Sequence, residues 1–441
     1  MAIRSLSKPA GHPLAAAMLG MFLDGFDLSI MAIALLPLTR VWQLSPGQTG
    51  SIMAMVLIGS FVGALGGGWV SDAFGRRRLL LPNILLYGVG ALWSACSPDL
   101  LQLEIGRFLT GVAIGLDYPL VATIVAEFSA TARRGRGFAW INLSWFVGAL
   151  ASSVLGWALL PLGDTSWRWM LGSAVLPVFL LGWLRRDLPE SPRWLWRRGE
   201  QKRAAAALAA LHPDWDAATQ EQALQGYTGQ SLPLRDLFRG VWRRRLILAI
   251  LPWFLLDMVS LGIALYLPEV LREQSWVASS QAAAAINAAL LVLSALAIAY
   301  VLPRLDRWGR IPLQMAGFAL MALGLTIFAW AATGDHALVV LLGAALYAIG
   351  LGLGPAVTVI ALAVELFPTP WRGTVSGWAT AISRLGAVSS ALLFPILQRD
   401  LGLAWVLLLT AALAGLATLV SWRYRVESRA QSLEALEIAA R

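Results

Sequence analysis

Twelve apolar runs, each long enough to cross a lipid bilayer, divide this chain from end to end. A membrane-spanning helix needs about 20 mostly apolar residues. Of the 441 residues, 58% are hydrophobic and only 13% are charged, too few charges for the surface of a soluble protein of this length. We therefore predict an all-α integral membrane protein. The predicted helices span residues 14–37, 47–70, 80–97, 102–125, 138–161, 167–186, 246–268, 280–303, 311–332, 337–362, 374–397 and 402–422.

A long polar stretch separates the first six runs from the last six. It contains the basic segment Arg197–Leu208, and several Pro and Gly residues interrupt it. This pattern predicts short amphipathic helices on the inner membrane surface. A separate catalytic domain needs a larger core than this stretch can bury. We predict an N-terminal six-helix bundle at 1–187, a cytoplasmic linker at 188–245, and a C-terminal six-helix bundle with a short cytoplasmic tail at 246–441.

The basic residues indicate which ends of the helices face the cytoplasm, because Lys and Arg accumulate in cytoplasmic loops. With both termini inside, all but six of the 34 Lys and Arg residues fall in cytoplasmic segments. The six are Arg40, Arg107, Arg168, Arg272, Arg384 and Arg399. We predict a multi-pass protein of the bacterial inner (plasma) membrane with both termini cytoplasmic. The clustering also explains the net charge of +9 better than nucleic-acid binding does.

The two halves of the chain repeat each other at an almost constant separation. Four features of the first half recur 233 to 238 residues later. A 6+6 repeat indicates two bundles that face each other across a central cavity, with the ligand near the middle of the membrane. The matching features are residues 71–76 with 305–310, Asp24 with Asp257, Pro119 with Pro355, and Glu127 with Glu365.

The segment Gly63–Arg78, GALGGGWVSDAFGRRR, ends the second predicted helix in small residues and then becomes acidic and basic. Small residues allow helices to approach closely, and Asp72 can accept hydrogen bonds from nearby arginines. Such a loop would close a cytoplasmic gate. An ordinary positive-inside loop is the alternative, which the repetition at Asp306–Arg310 disfavours. The predicted gating residues are Asp72, Gly75, Arg76, Glu127, Arg136, Asp306, Arg310, Glu365 and Arg372.

With these motifs the chain resembles the major facilitator superfamily over essentially its whole length. The resemblance rests on the loop Asp72–Arg77, on Arg107–Gly111 (RFLTG) and on Pro189–Trp194 (PESPRW), the last typical of the sugar-porter branch and its relatives. It implies a twelve-helix secondary transporter that works by alternating access without a cofactor. The motifs are specific for the fold but say little about the substrate.

Several charged side chains of the first half lie inside predicted helices, where an ionised group costs at least about 2.5–3.5 kcal/mol. With a rise of about 1.5 Å per residue, Asp24 and Asp27 lie on either side of the midplane, and Arg107 is nearest in depth to Asp27. Asp24 and Asp117 share a level, away from the nearest arginine, so we expect one of them to hold a proton near neutral pH. An alternative for Asp117 is a hydrogen bond within the kink at Pro119. The predicted proton-coupling residues are Asp24, Asp27, Arg107 and Asp117.

A second buried charge pair lies in the C-terminal half, where Arg384 and Asp257 both fall near the centres of their helices. A guanidinium group at that depth suits an anion bound through two hydrogen bonds. A permanent ion pair with Asp257 is the alternative. The sequence leaves both interpretations open.

Two further motifs resemble the phosphate/proton symporters. They are Gly115–Leu120 (GLDYPL) and Trp253–Asp257 (WFLLD). Trp145, Leu261 and Ala356 stand about where that family has Gln, Tyr and Asn, which removes hydrogen bonds that a fully hydrophilic ion requires. In that family the phosphate site is lined by the residues that match Asp117, Tyr118, Trp253 and Asp257.

Two other motifs point to organic anions. Asp24–Asp27 (DGFD) resembles the first-helix motif of the aromatic-acid/proton symporters. Ser383–Gly386 (SRLG) resembles the aromatic-acid, niacin-type and animal organic-anion carriers, which place an arginine there. We predict a proton-coupled importer of a small organic anion with an aromatic or other apolar body, in which Arg384 holds the carboxylate beside Asp257. The predicted apolar walls, for which core packing is the alternative role, are Tyr118, Trp145, Trp253 and Tyr347.

Other functions fit the sequence less well. A phosphate or sugar symporter and a drug/proton antiporter remain alternatives within transport. A ligand sensor would need a folded signalling extension, for which the linker and tail are too short. We do not expect an enzyme, because Cys96 is the only cysteine and the three histidines form no catalytic or metal-binding motif. The expected partners are a small-molecule substrate, protons and the lipid bilayer, with no metal or nucleic acid, and the expected state is a monomer.

Overall fold

Helices account for nearly all of the regular structure. The computed structural model describes residues 13–128, 134–212, 215–225, 233–272, 274, 276–277, 280–332, 334 and 336–428. Within those ranges there is no β-strand. This follows from the apolar runs, since a bilayer offers no water to the backbone and each segment must pair its own N–H and C=O groups.

The N-terminal half contains six membrane crossings. Five are single helices, and the sixth consists of two short helices that meet at Ser173–Ala174, where we predicted one helix over 167–186. Pro177 explains the interruption, because it has no N–H to donate to the carbonyl group one turn earlier. The helices are α1 (Pro13–Trp42), α2 (Pro46–Phe74), α3 (Arg76–Cys96), α4 (Leu100–Phe128), α5 (Arg134–Leu159), α6 (Ser166–Gly172) and α7 (Val175–Arg185).

Short helices form the linker between the halves. A small buried cluster that includes Trp194, Leu208 and Leu224 holds them together. The helices are α8 (Pro192–Arg197), α9 (Gln201–Leu211) and α10 (Ala217–Gln225), followed by a 3-10 helix at Leu234–Phe238. The predicted divisions 1–187, 188–245 and 246–441 remain a prediction.

The C-terminal half also contains six crossings, and one of them is interrupted. The break falls at Gly354, because Pro355 cannot continue the preceding helix and begins a new one. The helices are α11 (Gly240–Arg272), α12 (Ser280–Val301), α13 (Leu305–Trp308), α14 (Arg310–Ala331), α15 (Ala337–Leu353), α16 (Pro355–Glu365), α17 (Thr369–Leu401) and α18 (Leu403–Arg423).

The number of crossings agrees with the prediction of twelve. Among the described residues, nine helical segments are long and apolar enough to cross a membrane, and one of them, Arg136–Arg185, has 50 residues and includes two crossings. The remaining two are the shorter apolar helix Ala285–Val301 within α12 and the more polar α17. Trp157, Leu176 and Phe179 are each 75% exposed, and form part of the apolar outer surface that lipid would cover.

Glycines set how closely the helices pack. A Cβ atom at Gly25 on α1 would lie 2.0 Å from the backbone oxygen of Trp145 on α5, and one at Gly148 would lie 2.1 Å from that of Phe22. Both distances are far below van der Waals contact, so only glycine permits this α1–α5 approach. The glycine of the DGFD motif therefore has a packing role, between two acidic residues.

The two halves meet along α2 and α17 and along α5 and α12. On the side where the linker lies, here called the linker side, the α2–α17 approach is tight. A Cβ atom at Gly68 would lie 2.2 Å from the backbone oxygen of Gly373, and one at Gly377 would lie 2.5 Å from that of Ala64. The molecule is therefore closed on its linker side.

Candidate functional site

A cavity of about 170 Å³ lies between the two halves. All six residues predicted to bind substrate are in its wall: Tyr118, Trp145, Trp253, Asp257, Tyr347 and Arg384. Their binding role remains a prediction. The rest of the wall is mostly apolar, with side chains such as Met21, Leu28, Phe146, Leu261 and Ile360. Its other polar side chains are Asn142, Ser260, Asn287 and Ser294.

Arg384 on α17 contacts both halves of the molecule. It is 5% exposed, and its Nη1 lies 3.4 Å from Oδ2 of Asp257 on α11. Its guanidinium carbon lies 4.8 Å from the ring centre of Tyr118 on α4, a distance at which a cation is stabilised by an aromatic face. The Tyr118 ring in turn lies 6.1 Å from that of Trp253. The positive charge of Arg384 thus lies beside the aromatic side chains of the cavity wall.

The Arg384–Asp257 pair is looser than the other buried arginine–carboxylate pairs of the described chain. Neither Arg384 Nε nor Asp257 Oδ2 has a hydrogen-bond partner among the described residues. The guanidinium therefore keeps hydrogen-bonding capacity that a ligand anion can use. The closer pairs are Arg76–Asp72 at 2.9 Å, Arg107–Asp27 at 2.8 Å, Arg185–Asp117 at 2.5 Å and Arg310–Glu365 at 2.9 Å.

The two acids of the DGFD motif have different surroundings. Asp27 pairs with Arg107, with Nη1 2.9 Å from Oδ1 and Nη2 2.8 Å from Oδ2. This is the pairing that the depth argument favoured. Asp24 is 2% exposed, and its Oδ2 accepts no hydrogen bond from the described residues. No arginine of the described chain lies within ion-pair distance of Asp24, so a negative charge on its carboxylate is not balanced by a direct ion pair.

One expectation about Asp117 was wrong. We expected it to lie away from an arginine, but it lies next to one. Arg185 of α7 donates to both of its oxygens, at 2.5 and 2.8 Å, and Asn83 Nδ2 donates to Oδ1 at 3.0 Å. The depth argument missed this pair because it did not consider Arg185, whose backbone lies at the end of the sixth crossing. The long side chain extends inward from there. Asp117 thus faces the interior of its own half, whereas its neighbour Tyr118 faces the cavity.

The predicted gating residues of the first half lie together on the linker side. Asp72 accepts a hydrogen bond from Arg76 at 2.9 Å. It also accepts two from Thr374 of α17, at 2.8 Å from the backbone N–H and 2.9 Å from the hydroxyl group. Gly75, between α2 and α3, has a φ of +96°, which favours glycine. Asp72 thus connects the two halves where they are closed.

The gating residues of the second half form a related arrangement. Glu365 accepts two hydrogen bonds from Arg310, at 2.9 and 3.0 Å, and Asp306 lies 3.1 Å from the same arginine. Asp306 also accepts a hydrogen bond across the halves, from the backbone N–H of Arg136 at 3.3 Å. Arg372 donates to the backbone oxygens of Val364 and Phe367, each at 3.1 Å. The side chain of Glu127 lies outside the described residues. The gating role of these residues remains a prediction.

Comparison with known proteins shows the family. Residues 14–440 match the family described as Sugar (and other) transporter. The chain belongs to this family. It is 31% identical, over 94% of its length and 91% of the relative's, to the putative metabolite transport protein YaaU of Escherichia coli. It is 30% identical, over 90% of its length and 89% of the relative's, to the 4-hydroxybenzoate transporter PcaK of Pseudomonas aeruginosa. The chain is therefore a multi-pass membrane transporter and not an enzyme, as the sequence predicted.

The fold of this family member is also that of a solved major facilitator protein. A structure of the proton:xylose symporter XylE bound to 6-bromo-6-deoxy-D-glucose has a TM-score of 0.89 and covers 97% of this chain and 98% of its own, at 24% identity. An inward-open structure of XylE from E. coli has a lower TM-score of 0.71.

Two glutamates that we did not predict complete the linker side of the transporter. Glu190 accepts hydrogen bonds from the first two N–H groups of α3, at 3.0 and 3.1 Å. Glu427 does the same at the start of α14, with both at 3.0 Å. A carboxylate is favourable at a helix N-terminus because it meets unpaired N–H groups and the positive end of the helix dipole. The signal was in the sequence, since Glu-Ser occurs at 190–191 and again at 427–428.

Proposed function

We propose that this transporter carries a small organic anion with an aromatic or other apolar body, together with a proton. The observation that supports this most is the state of Arg384. It is a buried cation in the wall of the central cavity, and its own carboxylate partner is 3.4 Å away, beyond normal hydrogen-bond distance. A substrate carboxylate can form the short, charge-assisted bonds that Asp257 does not.

The remainder of the cavity suits an apolar body. Its volume of about 170 Å³ is similar to the roughly 150 Å³ cavity that holds a benzene molecule in an engineered protein. Trp145, Trp253 and Tyr347 provide aromatic surface around that space. The similarity to PcaK, which is named for 4-hydroxybenzoate, supports the same substrate class.

The proton would be carried by the acids of α1. Asp27 is held by Arg107, whereas Asp24 has no counter-ion among the described residues. In this proposal, a carboxylate that loses its proton on one side of the membrane and regains it on the other couples substrate movement to the proton gradient. The transporter would work as a monomer in the inner membrane, with both termini and the closed linker side facing the cytoplasm.

A monosaccharide is the second candidate, since XylE is described as a proton:xylose symporter. A sugar presents a hydroxyl group on almost every carbon, and each buried hydroxyl group needs a hydrogen-bond partner. Asn142, Asn287, Ser260 and Ser294 offer such partners, but the apolar side chains of the wall outnumber them. The cavity therefore favours the organic anion over the sugar.

A ligand panel tests the proposal. The purified transporter would be heated with matched compounds: benzoate and hydroxybenzoates, the corresponding carboxamides, inorganic phosphate, monosaccharides and cationic drugs. We expect an aromatic carboxylate to raise the unfolding temperature and its carboxamide to have little effect, because the amide has no negative charge for Arg384. Stabilisation by a monosaccharide, with none by any carboxylate, would favour the sugar. Stabilisation by cations alone would contradict both candidates.

A further inference from the structure

A second polar cluster lies inside the N-terminal half, behind the substrate cavity. It consists of Asp24 on α1, Asn83 on α3, Asp117 on α4 and Arg185 on α7, each no more than 5% exposed. A small cavity of about 10 Å³ lies among them and is lined by the first three. This volume is at the lower limit for one water molecule. Bulk water therefore cannot solvate a charge on Asp24.

Two oxygen atoms of the residues that line this small cavity accept no hydrogen bond from the described residues. They are Oδ2 of Asp24 and Oδ1 of Asn83. A buried acceptor without a donor is unfavourable, and an ionised carboxylate without a counter-ion is more so. A proton on Asp24 removes the larger cost, because it neutralises the carboxylate, and it provides a donor at the small cavity that Asn83 also lines.

The Asp117–Arg185 pair lies against the same helix as Asp24. A Cβ atom at Gly20 would lie 2.4 Å from Asp117 Oδ2 and 2.5 Å from Arg185 Nη2, so the pair occupies the space next to this glycine. Gly20 is one helical turn before Asp24. With all three side chains ionised, Asp24, Asp117 and Arg185 have a net charge of −1, and a proton on Asp24 brings it to zero.

The two charges of this pair affect Asp24 in opposite directions. Arg185 stabilises the ionised form of Asp24, and Asp117 destabilises it. Other titratable or charged groups also face Asp24 from the helices around it, but they would be the same in every variant proposed below. They are Asp27 on α1, which is paired with Arg107, Tyr87 on α3, Tyr118 on α4 and Arg384 on α17.

We propose that Asp24 holds the transported proton in this cluster, and that the Asp117–Arg185 pair sets the pH at which the proton is released. The inference rests on the proton coupling proposed above. It assigns to Arg185 a role that the sequence did not indicate: a positioning residue for the proton, remote from the substrate.

The test measures the proton itself and needs no substrate. Infrared spectra of the purified transporter in lipid would be recorded across a pH series, following the C=O stretch of protonated carboxyl groups. The component that disappears in Asp24→Asn is assigned to Asp24. We expect its midpoint to rise by on the order of one pH unit in Arg185→Gln and to fall by a similar amount in Asp117→Asn, each a roughly tenfold change in proton affinity. The double variant should lie near the wild type.

Two further variants serve as controls for the effect of the Arg185 charge. Arg186→Gln removes the neighbouring arginine, which is exposed, and should leave the midpoint unchanged. Arg185→Lys keeps the charge and should show a smaller shift than Arg185→Gln. If Arg185→Gln does not fold, the downward shift in Asp117→Asn still decides. Shifts of equal sign in the two single variants, no shift in Asp117→Asn, or an unchanged carboxyl band in Asp24→Asn would each overturn the inference. A failed carboxylate panel with the expected infrared shifts would instead contradict only the substrate assignment.

Discussion

At the scale of single residues, the contacts of Arg384 determine which ligands the cavity can distinguish. Its charge is balanced by Asp257 at 3.4 Å and by the face of Tyr118 at 4.8 Å. Neither contact uses the planar, forked geometry by which a guanidinium group binds a carboxylate through two parallel hydrogen bonds. That geometry is what separates a ligand-binding arginine from one that only balances a charge.

Replacing Arg384 by lysine separates these two roles. Arg384→Lys keeps the charge beside Asp257 but removes the fork. We expect the affinity for the carboxylate to fall by about 1.5–3 kcal/mol, the range for a hydrogen bond to a charged group, with little change in the unfolding temperature. Calorimetric titration and thermal unfolding would measure both. Arg399→Lys, an exposed change on the same helix, is the control. Normal binding by Arg384→Lys, with destabilisation only in Arg384→Ala, would make the arginine structural.

At the scale of helices, the glycine inside the DGFD motif fixes α1 against α5. The backbone of Trp145 approaches Gly25 so closely that no Cβ atom fits between them. This contact holds Asp24 and Asp27, on either side of Gly25, at a fixed depth and rotation. It also places Trp145 in the cavity wall. One packing contact thus positions both the proposed proton site and part of the substrate site.

We expect Gly25→Ala to destabilise the transporter by about 1–3 kcal/mol, the usual cost of overpacking a close contact. Thermal unfolding of the purified protein would show it. Gly66→Ala is the matched control, since a Cβ atom at Gly66 meets no atom within 4 Å and alanine is the better helix former. An unfolding temperature for Gly25→Ala at or above that of Gly66→Ala would contradict the α1–α5 packing described here.

Gly68 on α2 makes the corresponding contact between the halves. A methyl group there would collide with the backbone of Gly373 only while the linker side is closed. We therefore expect Gly68→Ala to shift the population toward states open on that side, because a change that destabilises one state favours the other. A cysteine introduced at Thr374, which is buried at 4% exposure, would report the opening by its labelling rate. The rate should rise in Gly68→Ala and not in Gly66→Ala; equal rates would contradict the prediction.

At the scale of the whole molecule, the charge pairs divide between the two tasks of a coupled transporter. Asp27–Arg107 and Asp117–Arg185 lie inside the N-terminal half, whereas Arg384–Asp257 belongs to the C-terminal half and faces the central cavity. In the proposed mechanism, the first half carries the proton and the second half holds the anion. In the state described here the linker side is closed. In the proposed mechanism, the halves rock to open that side, and the proton and the anion are then released.

This division predicts that a variant can lose proton-driven uptake of the substrate and still exchange substrate across the membrane. Asp24→Asn should abolish uphill uptake driven by a pH gradient, because an amide at this position can neither gain nor lose a proton. Exchange of labelled for unlabelled substrate across proteoliposomes should persist, since it moves no net protons. Uptake by Asp24→Asn with the wild-type pH dependence would remove Asp24 from the coupling mechanism.

The orientation of the molecule is a prediction of the arginine distribution. Cysteine at Glu221, an exposed position in α10, should react with an impermeant reagent only from the cytoplasmic side, in a chain that carries Cys96→Ser. The positive-inside rule is the physical reason. Sealed inside-out vesicles provide the positive control. Labelling in intact cells would show that the linker and both termini face outward.

The sequence predicted the number of crossings from apolar length. It predicted the residues that line the central cavity from the charges buried near the midplane and from resemblance to phosphate and organic-anion symporters. Depth along a helix correctly paired Asp27 with Arg107. It failed for Asp117, because an arginine at the end of a crossing reaches a depth that its backbone does not indicate. The breaks at Ser173 and Gly354 required attention to Pro177 and Pro355. The packing of α4 against α1 and α3 determines which side of α4 faces the cavity. This packing cannot be predicted from a local sequence pattern.

The capping of α3 and α14 by Glu190 and Glu427 has a consequence for dividing the chain into two polypeptides. In each half, a glutamate that follows the sixth crossing returns to the start of the third crossing and accepts hydrogen bonds there. A first fragment that stops at Arg185 would leave the first N–H groups of α3 unpaired, and a second that stops at Arg423 would do the same to α14. Fragments cut after the linker helix α8 and after Ser428 keep both caps, and these are the ones that should reassemble into a working transporter when produced together.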